Sequence, residues 1–233
     1  KIVKQGGKRI NWYMRRPEQI EQFKETGSNP SYLTGVQFDV KKIKFYSNIN
    51  LAIKNSDILV FAMPSPFLKG HLAKINVPLQ GKKIISAIKG IVPDENMIVT
   101  DYFTKYYNVD PMDIAVIAGP CHAEEVALER LSYLTVGSKN LEFAQYFADR
   151  IANPMLKTSI STDVRGIEYG SVLKNVYAIA SGICHGLKYG DNFQAILVSN
   201  SIRGRARFVE AAASDDTRNI QDAAYLGDLL VTA

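Results

Sequence analysis

The chain is poor in the residues that build metal centres and disulfide frameworks. Among 233 residues there are two cysteines, Cys121 and Cys184, and three histidines, His71, His122 and His185. None of them has metal-ligand spacing, so no metal site is expected. So little cysteine fits a reduced, intracellular setting, and a cytoplasmic protein is the expectation. No apolar run reaches the roughly 18 residues that a membrane span requires, and no signal peptide is visible. Repeats, low-complexity tracts and flexible linkers are missing too. The excess of Lys and Arg over Asp and Glu is small, 28 against 23, a net charge of +5. That balance mildly favours anionic ligands such as phosphates. The basic residues are scattered, with no basic helix interleaved with aromatics, so nucleic acid is not an expected partner.

What is present is a core-forming composition, 46% hydrophobic and 22% charged, enough for one large domain or two smaller ones. Through the first two-thirds, short apolar segments alternate with helical stretches. Strands are expected at Ile10–Arg15, Lys42–Ser47, Asp57–Met63, Lys83–Ile88, Ile114–Ala118, Ser132–Val136 and Met155–Ser159. Helices are expected at Pro17–Thr26, Asn50–Asn55, Met97–Tyr107, His122–Glu129 and Leu141–Ala152. Near-continuous apolar runs such as DILVFAM suit parallel strands buried on both faces. Repeated strand–helix units predict a doubly wound α/β domain. After about residue 160 only helices are expected: Asp163–Lys188, capped by Thr162 or Asp163, then Phe193–Ala213, capped by Asp191 or Asn192, then Ile220–Thr232. The division is therefore an α/β domain over 1–160 and an all-α domain over 161–233.

In such a sheet, ligands bind beyond the carboxyl ends of the strands. Arg15-Arg16 ends the first strand where a dinucleotide-binding sheet usually places an acid. A planar guanidinium matches a 2′-phosphate, which favours NADP over NAD, although two solvated arginines would read the same way. Pro64-Ser65-Pro66-Phe67 ends another strand, and Phe67 offers an apolar face. Lys89-Gly90 and the Ala118–Ala123 segment (AGPCHA) follow two more. Gly119 permits close backbone approach, and the amides opening the helix at Ala123 can face an anion; plain turn chemistry would also place these residues here.

The helix Asp163–Lys188 carries Gly166, Gly170, Lys174, Ala178, Gly182 and Gly186 at every fourth position. Each helical glycine costs roughly 1 kcal/mol, so the row needs close packing or a close ligand to explain it. Lys174 sits in its middle, where desolvation would ease proton transfer. Asp228, in the apolar segment GDLLVT, needs a partner if it is buried, and Lys174 is the natural one; a solvent-facing carboxylate is the alternative.

These segments together resemble the bacterial NAD(P)-dependent glycerol-3-phosphate dehydrogenase family. The resemblance is most specific at Ser161–Gly182 (STDVRGIEYGSVLKNVYAIASG), and is also strong at Ala118–Ala127 (AGPCHAEEVA), Ile88-Lys89-Gly90 and Gly227–Thr232. NWYMRRPE at Asn11–Glu18 and NPSYL at Asn29–Leu33 match further motifs. The resemblance implies a Rossmann-type domain followed by an all-α substrate domain. It also implies NAD(P)H-dependent reduction of dihydroxyacetone phosphate to sn-glycerol 3-phosphate, feeding phospholipid synthesis, and a possible homodimer. By motif, Lys174 is the proton-transfer lysine, and Asp228 and Thr232 orient it and the substrate. Asn175 lines the substrate pocket, Lys89 serves both cofactor and substrate, and Gly119 and Cys121 belong to the substrate loop. Arg15, Arg16, Tyr32, Phe67 and Ala123 fall at cofactor positions. Cys121 departs from the Ser, Thr or Asn usual there, and a thiol is a weaker donor.

The family opens with a strand and a G-x-G-x-x-[GA]-type loop, and carries an Arg-Asn pair soon after GDLxxT. Neither stands in these 233 residues, and Lys1–Lys8 looks like the tail of the helix after that loop. The expectation is a catalytic protein longer than the sequence given. The alternatives are a non-catalytic remnant that binds a partner, or a related two-domain dehydrogenase of another oxo-substrate.

Overall fold

The structure, a computed structural model, describes residues 9–232; the helix tail read at Lys1–Lys8 lies outside them. Strands β1 (Ile10–Tyr13) and β2 (Ile43–Tyr46) pair in parallel as a separate small sheet. Strands β3 (Ile58–Phe61), β4 (Lys83–Ser86), β5 (Ile114–Ala118), β6 (Ser132–Ser138) and β7 (Leu156–Ser161) lie side by side in chain order in a second. β3, β4 and β5 are parallel, β6 runs antiparallel to β5, and β7 is parallel to β6.

The apolar runs become strands because both faces are covered. Along β4, Ile84 and Ile85 are fully buried and point into different clusters. One cluster takes in Leu68, Val92, Val99 and Phe103; the other takes in Phe143, Phe147 and Ile151 of helix α6 (Leu141–Ile151). The small sheet has its own aromatic core. Phe23 of α1 (Pro17–Thr26) is packed against Trp12, Phe38 and Phe45. Pro17 opens α1, and Gly27 closes it in the left-handed conformation at φ 73°.

The chain ties the two sheets into one orientation. Near the start of β1, Asn11 Nδ2 donates to the Asn55 carbonyl at 2.5 Å and to Ser56 Oγ at 2.9 Å, just before β3 and after helix α2 (Ile49–Lys54). At the other end of β1 the Tyr13 ring meets His71 of α3 (Leu68–Leu72), just after β3. β1 therefore runs in the same sense as β3, and their carboxyl ends open on the same side.

Beyond the sheets come α7 (Val164–Gly186) and α8 (Asp191–Ala212), helices of 23 and 22 residues packed on each other. Asp163 caps α7 by accepting from Gly166 N at 3.0 Å. Val164 and Ile167 of α7, Val116 and Ala118 of β5, and Ala224 and Tyr225 form the cluster that joins the helical part to the sheet.

Several elements differ from expectation. Ser65–Phe67 is a 3-10 turn running into α3, because Pro64 and Pro66 start helical turns as readily as they end strands. The capping expectation for α8 fails: Gly190 occupies that position, and Asp191 lies inside the first turn. Ile220–Thr232 is not one regular helix. A wide π-type turn over Ala223–Gly227 leads into the short α9 (Asp228–Leu230). Such turns recur at functional sites, since they aim one side chain out of the regular helical row.

Candidate active site

The carboxyl ends of the parallel strands carry most of the residues singled out above. Arg15 and Arg16 follow β1 and are exposed. Phe67 follows β3 and is 61% exposed, an unusual setting for a phenyl ring. Lys89 follows β4; its ammonium donates to the Ile117 carbonyl of β5 at 2.6 Å. Burial lowers its pKa, and Lys174 acts in the same direction, while Asp228, Glu168 and Cys121 act against it. Gly119 follows β5 at φ +140°, and a Cβ there would stand 2.5 Å from the Tyr133 carbonyl oxygen. Only glycine lets β6 pass that close.

Past Gly119, the half-buried Cys121 packs beside the Phe143 cluster, and Ala123 is the first residue of α5 (Ala123–Ala127). Tyr32, from the loop after α1, donates to Glu124 Oε1 of α5 at 2.6 Å. This contact carries the small-sheet lobe across to the β5 end.

The helical part supplies the buried charges. Lys174 is 8% exposed and Asp228 1%, and Lys174 Nζ donates to Asp228 Oδ1 at 2.7 Å. Thr232 Oγ1 donates to the Asp228 carbonyl at 2.7 Å, fixing the turn that presents the carboxylate. That turn is held by Asp163, which accepts from Arg218 Nε at 2.6 Å, from Arg218 Nη2 at 3.1 Å and from the Tyr225 hydroxyl. Burial, then the bond to Asp163, raises the Tyr225 pKa. Asn175, next to Lys174 in the chain, is exposed.

The glycine row serves only half its length. A Cβ at Gly166 would strike the Asp163 carboxylate, and one at Gly170 would stand 3.2 Å from the Tyr225 ring. Gly182 and Gly186 meet nothing within 4 Å, so close packing is confined to the stretch before Lys174.

Two buried charges near the pair were given no role by the sequence reading, although Glu168 stands within the Ser161–Gly182 motif. Glu168 of α7 is 6% exposed, and its pKa is pushed up to about 7 by burial, against the hydrogen bonds from Thr100. Arg205 of α8 is 1% exposed, with its guanidinium 5.3 Å from the Tyr225 ring centroid. Burial lowers its pKa to about 10, opposed first by Asp228. Its Nη1 and Nη2, like Asp228 Oδ2, have no hydrogen-bond partner among the described residues. The signal for Arg205 was its place with Ser201 and Val209 in a buried every-fourth row; Arg203 and Arg207 on either side made it look solvated.

A buried lysine–carboxylate pair, set where a helical unit meets the carboxyl ends of a parallel sheet, marks a two-domain nicotinamide-dependent dehydrogenase. Models of the family described as NAD-dependent glycerol-3-phosphate dehydrogenase match here, its N-terminus at residues 1–144 and its C-terminus at residues 163–233. The chain belongs to that family.

Among relatives, the glycerol-3-phosphate dehydrogenase [NAD(P)+] of Geobacillus thermodenitrificans is 32% identical over 99% of this chain and 67% of its own length. That of Chlorobium limicola is 28% identical over 99% of this chain and 69% of its own. The chain thus spans about two thirds of the relatives it matches. The crystal structure of a glycerol-3-phosphate dehydrogenase from Coxiella burnetii shares the fold, with a TM-score of 0.85 at 22% identity over 99% of this chain and 70% of that one. No helix among the described residues is long and apolar enough to cross a membrane.

Proposed function

We propose that the protein reduces dihydroxyacetone phosphate to sn-glycerol 3-phosphate, reversibly, with NAD(P)H. The observation that carries this reading is the Lys174–Asp228 pair at 2.7 Å, both residues lying within 163–233, the stretch that the family's C-terminal model matches. The divided roles are a dinucleotide-binding domain over 1–160 and a catalytic domain over 161–233.

The residues at the strand ends suit a nicotinamide dinucleotide. Two exposed arginines after β1 can fork onto a 2′-phosphate, which favours NADP. The exposed Phe67 offers a face to a ring, and Tyr32, Lys89 and Ala123 border the same side of the sheet. When bound, the reduced cofactor supplies the hydride. Lys174 hands the proton from Nζ to the C2 oxygen of the substrate as the carbonyl becomes an alcohol, and takes it back in the reverse direction. Asp228 holds the amine in place throughout. Thr232 secures the turn that carries Asp228. Lys89 binds the substrate's oxygens as an ammonium, Gly119 leaves room for them, and Cys121 and Asn175 border the pocket.

The product would feed glycerophospholipid synthesis in the cytoplasm, and the family resemblance supports a homodimer. The test is the loss of 340 nm absorbance from NADPH with dihydroxyacetone phosphate, in the complete protein and in Lys174→Ala. Turnover in the first and none in the second, with equal far-UV circular dichroism, is expected. Near wild-type turnover in Lys174→Ala would overturn the assigned role, and turnover only with another oxo-substrate would overturn the substrate.

A further inference from the structure

Helix α4 (Val99–Tyr107) begins without a cap of its own, because Ile98 at the capping position has no side-chain acceptor. The first amides of a helix need partners. Here one comes from the other domain: Glu168 Oε2 accepts from Thr100 N at 3.2 Å and from Thr100 Oγ1. One turn earlier on α7, Arg165 Nη2 donates to Asp101 Oδ2 at 3.0 Å, closing the rim of the same junction. Two neighbouring residues of α4 thus hold two residues one turn apart on the helix that carries Lys174.

The segment feeding α4 is short and ordered by its own contacts. Val92 N donates to the Met97 carbonyl at 2.8 Å, Asn96 N donates to the Val92 carbonyl at 3.1 Å, and Val92 and Ile98 are fully buried. At the head of this segment stands Lys89. Gly90 follows at φ +135°, where a Cβ would clash with Ser65 Oγ. A carboxylate that fixes the start of α4 therefore also fixes where Lys89 stands.

We propose that Glu168 is a positioning residue that clamps the catalytic helix to the start of α4 and so holds Lys89 beside Lys174. The proposal rests on the dehydrogenase reading for its consequence, but not for its test. The groups around Lys89 are Asp228 and Lys174 from the helical part, Cys121 from the β5 end and the Ile117 carbonyl it already bonds; Glu168 adds a negative charge to that set. Around Glu168 stand the Thr100 hydroxyl, the Val99 and Thr100 amides and the Asp101 carboxylate. Oε1 of Glu168 is buried without a hydrogen-bond partner among the described residues.

Two variants of the complete protein separate clamp from charge. Glu168→Gln keeps an acceptor for Thr100 and removes the charge; Thr100→Val keeps the charge and removes a donor. Competitive acetylation with acetic anhydride across pH, read by mass spectrometry, gives the midpoint at which Lys89 loses its proton. Hydrogen exchange reports the order of residues 89–98. In Glu168→Gln the Lys89 midpoint is expected to fall by about one pH unit, a tenfold change in protonation at fixed pH, and the KM for the oxo-phosphate to rise with kcat less affected. In Thr100→Val, exchange in 89–98 is expected to quicken severalfold.

An unchanged Lys89 midpoint and KM in Glu168→Gln overturn the positioning of Lys89, and unchanged exchange in Thr100→Val overturns the clamp. Should Glu168→Gln not fold, the exchange and KM of Thr100→Val decide both. Neither the midpoint nor the exchange requires turnover, so a wrong substrate assignment leaves both intact.

Discussion

Lys174 Nζ engages only one oxygen of Asp228, Oδ1 at 2.7 Å, while Oδ2 of the same buried carboxylate has no hydrogen-bond partner among the described residues. Removing the charge from one side strands the other. Asp228→Asn is expected to cost about 3–5 kcal/mol, the usual penalty for orphaning a buried charge, and to lower turnover. Urea unfolding checks the first effect and the 340 nm assay the second. Unchanged stability would mean that the pair opens to water.

Arg205 gives the opposite sign. A buried guanidinium with two unpartnered nitrogens is costly to keep. Arg205→Met fills similar space beside Gly170 and the Tyr225 ring without that cost. It is expected to stabilise the fold, because a charge buried without hydrogen bonds costs more than an apolar side chain in the same space. A lower melting temperature would show that Arg205 is held by the field of Asp228 more firmly than its missing hydrogen bonds imply.

Glu168 makes stability depend on pH. Its folded pKa, raised to about 7 from 4.5 chiefly by burial, means that the folded chain keeps this proton longer than the unfolded chain does. The stability it contributes is full below about 4.5 and lost as pH rises through about 7. Glu168→Gln is expected to flatten the fall in stability between these two values. Melting curves from pH 5 to 8 on both proteins measure it; parallel curves would mean that the carboxyl is solvated.

Gly119→Ala combines a disfavoured φ with a Cβ driven onto the Tyr133 carbonyl. A loss of more than about 1 kcal/mol is expected, with the β5–β6 ladder first to exchange its amides. A neutral variant would show that β6 gives way easily.

Arg15→Ala with Arg16→Ala is expected to raise the KM for NADPH at least tenfold while sparing NADH, since one charge-assisted hydrogen bond is worth roughly 1.5–3 kcal/mol. Equal losses for both cofactors would show that the arginines do not read a 2′-phosphate.

The parts legible in the sequence were those governed by local rules. β4 and β5 appear as apolar runs because both faces are covered, whereas β3, at the end of the strand order, leaves Val60 49% exposed although its run reads the same way; Asp163 announces α7 because capping is a neighbour effect. Lys174 was a candidate partner for a buried Asp228, with a solvent-facing carboxylate as the alternative, and the structure pairs the two. What escaped depends on packing between distant segments. The π-type turn at Ala223–Gly227 has the same apolar spacing as an ordinary helix. Glu168 looked like one more polar residue until Thr100, 68 positions away, was placed against it. Gly182 and Gly186 extend the row in sequence, yet nothing packs on them.

The Asp163 carboxylate gathers Gly166, Arg218 and Tyr225, and its bond to Arg218 spans 55 residues. That contact closes a loop around the whole α7–α8 hairpin. As a flexible loop it would cost about 3.5 kcal/mol of chain entropy to close, so the packing of α7 on α8 is what brings its ends together. Asp228 lies beyond the closure point. The carboxylate that steadies Lys174 therefore depends on the whole hairpin being packed, and a variant that loosens α7 from α8 is expected to loosen the proton-transfer pair with it.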